Sequence, residues 1–449
     1  MDSLQQQRVS VIGAARSGVA VARLLASHGA HVFVSDRQAE ATIAQAVAEL
    51  RGAGIETETG GHSPRVFECS LMVISPGVPS DAPVVRDAQQ RGIRVVSELE
   101  VGSWFCPAPI IAITGSNGKT TTTTLVGRVL GDAKKEHVVA GNIGTAFSSV
   151  VLDLAETHTV VLEVSSFQLD HTERFRPSIA ALLNITPDHM DRYGHSMERY
   201  AASKARIFRN QTKNDVLVYN ADDEWTRRVV ANARCRTVAF SIQRALDEGA
   251  FVERDELVIR MGGATVSVIP TEQISIRGAH NLANAMAAAL IGQLSGVSAA
   301  SMRATLRNFK GVEHRLEFVR EVDGVRYVND SKATNVDSVW YALQSFREPI
   351  VVLLGGRDKG NDYARLTELV RAHVRSIVAI GESAGTVEAA FRDVVPIRHA
   401  ASMEEAVTVA RSVAHRGDVV LLSPACASFD WFRNYEHRGE VFKQLVEAL

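Results

Sequence analysis

The chain has 449 residues, with 46% apolar and 22% charged residues, a balance that excludes a mostly disordered chain. Lys and Arg number 49 against 51 Asp and Glu, for a net charge of −2, which argues against a basic nucleic-acid coat or a polybasic membrane anchor. At roughly 150 residues per domain, the length predicts about three domains.

The first block opens on an apolar run, Arg8–Gly13, expected to be a buried parallel strand. A turn, Gly13-Ala-Ala-Arg-Ser-Gly18, leads into a helix over 19–28 and a second strand, His31–Ser35, ending at Asp36. That order makes a βαβ unit. A helix over 39–52 and a strand over Leu71–Ile74 continue it, and Cys106-Pro-Ala-Pro109 punctuates the chain. A dinucleotide fingerprint wants glycine where this chain has Ala15, so a nicotinamide dehydrogenase is disfavoured, although Asp36 sits where a ribose-binding acid would. The loop Ser75-Pro-Gly-Val-Pro79 also follows a strand, at the end where open parallel sheets bind ligands.

In the second block the strand Ile110–Ile113 enters Thr114-Gly-Ser-Asn-Gly-Lys-Thr120 and a helix to about Leu130. Backbone N–H groups of such a loop, with the helix N-terminus, suit phosphate. Lys119 would reach the β/γ-phosphates and Thr120 would ligate Mg²⁺. Strands are expected near 137–140, 159–164, 178–185 and 216–219, then a hairpin of 251–259 with 265–269 around Met261-Gly-Gly263. Helices over 281–292 and 299–308 close the block. By position alone, Glu163 is either a metal ligand or an exposed strand-end acid. Asp188-His189-Met-Asp191 is either a metal or acid–base cluster or a structural feature. Lys204, on a predicted helix, reads as a solvated surface residue, and Asn281 and Asn284 share one helix face.

The third block alternates strands near 325–328, 350–354, 376–380, 395–398 and 419–422 with helices over 338–346, 363–372 and 403–415. That pattern predicts a second doubly wound sheet. Lys359 follows a strand end and is either an anion site or an ordinary loop lysine. The four cysteines are far apart and expected to be reduced thiols. No apolar run suits a membrane span, and the start lacks the pattern of a signal peptide.

Taken together, Thr114–Thr121, Glu163-Val-Ser-Ser-Phe-Gln168, Asn184-Ile-Thr-Pro-Asp-His189, His280-Asn281, Glu313-His-Arg315 and Asn329–Asn335 resemble, in order and spacing, the motifs of the ATP-dependent Mur ligases. These enzymes build the peptide stem of peptidoglycan. Ser165–Leu169, Asp188–Tyr193 and Ser423–Ser428 look most like the members that add D-glutamate. The resemblance implies an α/β fold of three domains: an N-terminal Rossmann-like domain (1–106), a central P-loop ATPase-type domain (107–311) and a C-terminal Rossmann-like domain (312–449). It implies UDP-MurNAc-L-Ala at Arg16, Ser17, Asp36, Arg37, Ser75, Pro76, Gly77 and Asn142. ATP falls to Gly115, Ser116, Asn117, Gly118, Lys119, Thr120, Thr121, Asn281, Asn284, Arg315 and Asp330. Mg²⁺ falls to Thr120, Glu163, His189 and a carbamylated Lys204, and D-glutamate to Lys332, Thr334, Lys359, Ser428 and Phe429. Lys119, His189, Lys204 and Arg315 carry the catalysis. A cytoplasmic monomer acting on small molecules, without nucleic-acid or membrane partners, is expected. Sister ligases, folylpolyglutamate synthetases and P-loop switch proteins are the alternatives.

Overall fold

The computed structural model describes residues 4–142, 145–358 and 360–449. The chain forms two compact units: residues up to Thr271 with Ala283–Leu306, and Glu272–Leu282 with Arg307–Leu449. Among the described residues the strands assemble into three sheets, two in the first unit and one in the second.

The first sheet is parallel, in the order Glu56–Thr59, His31–Asp36, Arg8–Ile12, Leu71–Ile74, Arg94–Ser97. Its central strands are apolar runs because both faces are covered; Val9, Val11 and Val73 are buried against the helix Arg16–Ser27, and Ile12, Met72 and Ile74 elsewhere. Strand order reverses between Arg8–Ile12 and Leu71–Ile74. A crevice therefore opens at their carboxyl ends, flanked by the Gly13–Gly18 and Ser75–Pro79 loops. Gly13 has φ +94°, and a Cβ on Gly18 would lie 1.8 Å from the Gly13 carbonyl oxygen, so both positions require glycine. Ala15 has an ordinary φ of −77°, which is why the fingerprint's missing glycine does not prevent the turn.

The second sheet holds nine strands in the order Ala264–Pro270, Glu256–Met261, Gly249–Glu253, Arg236–Ser241, Val216–Asn220, Ile179–Leu182, Ile110–Thr114, Thr159–Glu163, His137–Gly141. The predicted strand over 251–259 is in fact split between Gly249–Glu253 and Glu256–Met261, which pair antiparallel. Arg254 and Asp255, at φ +50° and +62°, make a two-residue turn inside an apolar pattern that runs on through Val252 and Leu257. Ile110–Thr114 is buried along its whole length and lies between Thr159–Glu163 and Ile179–Leu182. The ends of all three converge on the Gly115–Gly118 loop.

In the second unit the sheet order is Glu317–Val322, Val325–Asn329, Val419–Leu422, Ile350–Gly355, Val374–Ile380, Ile397–Ala400. Its strands are parallel except for the edge hairpin, which turns at Asp323 and Gly324. Alternate residues serve the two faces: Val352 and Leu354 with Leu421 on one, Val351 and Leu353 with Val420 on the other. Among the described residues no helix is long and apolar enough to cross a membrane.

Candidate active site

Gly118, at φ +83°, precedes the helix Lys119–Asp132, and a Cβ there would come within 2.2 Å of Asn284 Oδ1. The Gly115–Gly118 loop is fastened to the segment leaving Ile179–Leu182. Asn184 accepts from the Asn117 N–H at 2.8 Å and donates to its carbonyl at 3.0 Å. Ser116 Oγ donates to the Thr186 carbonyl and accepts from the Thr186 N–H. Lys119 folds back over the loop, with Nζ donating to the carbonyls of Gly115 and Ser116 at 2.8 Å each. Thr120 and Thr121 are buried in the first turn. The Ser116 and Asn117 N–H groups are thus taken by Asn184, and the result is a fixed loop leading into a helix N-terminus with a cation across it, a geometry for phosphate.

Glu163 ends the strand in register with Ile113 and is 2% exposed, which removes the reading of an exposed strand-end acid. Asn142 donates to Glu163 Oε1 at 2.9 Å, while the buried Oε2 has no hydrogen-bond partner among the described residues. An unpartnered buried carboxylate oxygen is costly unless something else satisfies it. Lys204, on the helix Met197–Ala205, is 1% exposed rather than solvated. The helix turns this residue inward, where Nζ donates to the Gly115 carbonyl at 2.8 Å and lies 4.5 Å from the centre of the Tyr200 ring. Burial first, and then Lys119 nearby, hold its ammonium well below the ordinary lysine range. His189 has φ +52° and packs edge-on against Phe167 at 4.9 Å.

All eight residues proposed from the sequence for a UDP substrate, Arg16, Ser17, Asp36, Arg37, Ser75, Pro76, Gly77 and Asn142, line one cavity of about 740 Å³. Asp36 is occupied with the backbone, accepting from the N–H groups of Ala14 and Gln38 at 2.6 and 2.7 Å, so it shapes the Gly13–Gly18 turn. Gln168 and His62 line the same cavity and carried no individual signal in the sequence.

Asn284 lies in the first unit and accepts from Thr122 Oγ1; Asn281 lies in the second and donates to the Arg277 carbonyl. In the second unit, Asp330 is buried and accepts from Ser423 Oγ and the Leu316 N–H. Burial raises its carboxyl to about 6, against the pull of Arg315. Arg315 Nε is buried with no hydrogen-bond partner among the described residues. Burial, and then Arg315, lower His280 to about 4, so this imidazole is neutral near pH 7. Lys332 Nζ lies 5.2 Å from the centre of the Tyr435 ring, Thr334 is half-buried, Ser428 is buried and Phe429 is 61% exposed. Lys359 lies outside the described residues.

In the second unit, a further residue escaped sequence reasoning. Arg438, 1% exposed, donates through Nε to Ser331 Oγ and through NH2 to the carbonyls of Ser331 and Cys426, joining the Asn329–Asn335 and Ser423–Ser428 segments. It stands among charged residues of the helix Tyr435–Glu447, where nothing in the pattern separates it from a surface arginine.

Comparison with known proteins follows the same division. Family profiles described as Mur ligase MurD-like N-terminal domain, Mur ligase middle domain, and Mur ligase glutamate ligase domain match residues 7–97, 113–292 and 314–426. A UDP-N-acetylmuramoylalanine--D-glutamate ligase of Salinibacter ruber is 49% identical, over 100% of this chain and 99% of that one. One of Koribacter versatilis is 45% identical, over 99% and 98%. Among solved structures, a UDP-N-acetylmuramate-alanine ligase of Thermotoga maritima shares the fold at 21% identity, covering 99% of this chain and 100% of that one with a TM-score of 0.61. A pseudomurein peptide ligase of Methanothermus fervidus does so at 19%, with the same coverage and a TM-score of 0.62.

Proposed function

We propose, from the premise that this chain belongs to the Mur ligase family, that it joins D-glutamate to UDP-N-acetylmuramoyl-L-alanine at the expense of ATP, in cytoplasmic peptidoglycan precursor synthesis. The observation that carries the reading is the bond between Asn142 and Glu163. It ties the wall of the 740 Å³ cavity to the acid that stands beside the phosphate loop. A nucleotide-sugar substrate in that cavity would present its carboxylate to ATP.

In this reading the γ-phosphoryl group passes to the substrate carboxylate, giving an acyl phosphate and ADP. The D-glutamate amine then attacks the acyl carbon, loses a proton, and phosphate leaves. Two anions meet in the first step, so cations must offset their repulsion. Lys119 and the loop N–H groups hold the phosphates, and Arg315 serves the γ-phosphate. Asn281 and Asn284 serve the adenine and Asp330 the ribose. The residues present fit Mg²⁺: Glu163 offers an unpartnered buried oxygen and Thr120 a hydroxyl at the helix start. Bound there, the ion would neutralise phosphate charge. His189 and Lys204 would hold a second ion, Lys204 as its carbamate. The depressed ammonium of Lys204 supports this, because the neutral amine is the form that reacts with carbon dioxide. Lys332, Thr334, Lys359, Ser428 and Phe429 are assigned to D-glutamate, and the domains to 1–106, 107–311 and 312–449.

The test is an amino-acid panel with UDP-MurNAc-L-Ala, ATP and Mg²⁺, read by phosphate release. Release that requires D-glutamate supports the reading. A preference for L-alanine or a diamino acid would make this a sister ligase, and release independent of any amino acid would make it a hydrolytic switch.

A further inference from the structure

The loop after the strand Leu71–Ile74 forms one wall of the substrate cavity, which Ser75, Pro76, Gly77, Val78 and Pro79 all line. Its own sheet holds it at its first residue, where Ser75 donates through its N–H to the Ile12 carbonyl at 3.0 Å and through Oγ to the Gly13 carbonyl at 2.9 Å. Two prolines, Pro76 and Pro79, restrict its backbone. Two further ties come from the part of the chain that carries Glu163 and His189. Arg192, three positions after His189, donates through NH1 to the Pro76 carbonyl at 3.4 Å. Its guanidinium lies 4.1 Å from the centre of the Phe167 ring, the same ring that packs against His189. At the other end of the loop, His171 Nε2 lies 2.8 Å from Ser80 Oγ, within hydrogen-bond distance. His171 is itself fixed, its carbonyl accepting from the Ser97 N–H at 2.9 Å.

We infer that Arg192 and His171 are positioning residues that latch the Ser75–Asp81 loop to the Phe167–His189 region, so that closing the loop on the UDP substrate and seating its carboxylate near His189 are one event. The inference rests on the cavity being the UDP-substrate site. A cation on an aromatic face together with one long hydrogen bond suits a latch: strong enough to bias a loop, and not a contact on which the core depends.

The experiment compares Arg192→Met and His171→Leu with the conservative Arg192→Lys and His171→Asn in the full chain. Arg192→Met should raise KM for UDP-MurNAc-L-Ala about tenfold, with KM for ATP and D-glutamate changed less than about twofold. His171→Leu should act in the same direction, and the conservative variants should recover most of the loss. Hydrogen exchange at the Val78 and Ala82 amides, which bond within the loop to Ser75 and Pro79, should quicken in Arg192→Met and His171→Leu without a matching fall in thermal midpoint. Unchanged KM and unchanged exchange would overturn the latch, as would equal rises in all three KM values, which mark general damage. If the unmodified protein fails to bind UDP-MurNAc-L-Ala in calorimetry, the substrate reading falls, and exchange at Val78 and Ala82 still decides whether the loop is latched.

Discussion

Lys119 and Lys204 direct their Nζ atoms at one acceptor, the carbonyl oxygen of Gly115, each at 2.8 Å. Two ammonium groups on one carbonyl repel, and the more buried of them yields. Lys204 therefore carries the depressed basicity, with burial the larger cause and Lys119 the next. Of the two lysines on this carbonyl, Lys204 is therefore the one whose ammonium is the more easily discharged.

Lys204→Ala is expected to lower turnover by about 100-fold or more, with partial recovery when acetate is supplied at high concentration, since a small carboxylate can occupy the place of a carbamate. Labelled bicarbonate should give a carbamate carbon signal in the unmodified protein and none in the variant. Full activity of Lys204→Ala without added acid would reject the assignment.

Gly118→Ala places a methyl group 2.2 Å from Asn284 Oδ1 at a backbone angle that disfavours alanine. Destabilisation of about 1–3 kcal/mol is expected. The larger effect should fall on nucleotide. The unmodified protein's melting temperature should rise with added ATP, and the variant's should rise much less, because the loop can no longer present its N–H groups together.

The phosphate loop was legible because its signal is local: an apolar strand, glycines, Lys119-Thr120 and a helix in one stretch. The eight cavity residues came instead from the resemblance to the Mur ligase motifs, although most of them lie on loops that directly follow buried strands. The burial of Lys204 was not legible from its own residues, which read as a solvated face, because its helix is short and polar and only the packing shows which way the side chain turns; the resemblance alone had singled it out. Arg438 was hidden likewise, its acceptors lying 12 and 107 residues away in Cys426 and Ser331. The edge strand Glu317–Val322 was missed because an exposed strand carrying Glu317, Arg320 and Glu321 lacks the apolar run that marked the buried ones.

Asp330 makes stability depend on pH. Its folded value is about 6, raised from 3.8 by burial, so the fold favours the neutral acid. That preference stabilises the protein fully below the unfolded value and is lost as pH rises through 6. Asp330→Asn removes the titration. Chemical denaturation should show the variant gaining on the unmodified protein between pH 4 and 6.5, by up to about 3 kcal/mol. A constant difference across that range would show that Asp330 does not titrate there.

Arg438→Met leaves acceptors in Ser331 and Cys426 without their donor. A loss of about 3 kcal/mol in unfolding free energy is expected. KM for D-glutamate should rise more than KM for ATP, because the guanidinium joins the segment of Lys332 and Thr334 to that of Ser428. Arg438→Lys should not restore either quantity, since one ammonium cannot span the positions a planar fork reaches.

Glu163 uses its two oxygens differently: Oε1 accepts from the cavity amide of Asn142, and Oε2 has no hydrogen-bond partner among the described residues, the oxygen proposed for Mg²⁺. A carboxylate shared in this way cannot serve either side indifferently. Whatever draws charge toward Oε2 alters what Oε1 offers Asn142, and the influence runs equally in reverse. With Mg²⁺ at Oε2 and the nucleotide sugar at Asn142, as proposed, thermodynamic linkage would make the two affinities reciprocal: the factor by which Mg²⁺ tightens the nucleotide sugar would be the factor by which the nucleotide sugar tightens Mg²⁺. An inhibitor that engages Asn142 in the cavity would then have no single affinity, only one for each concentration of the divalent ion.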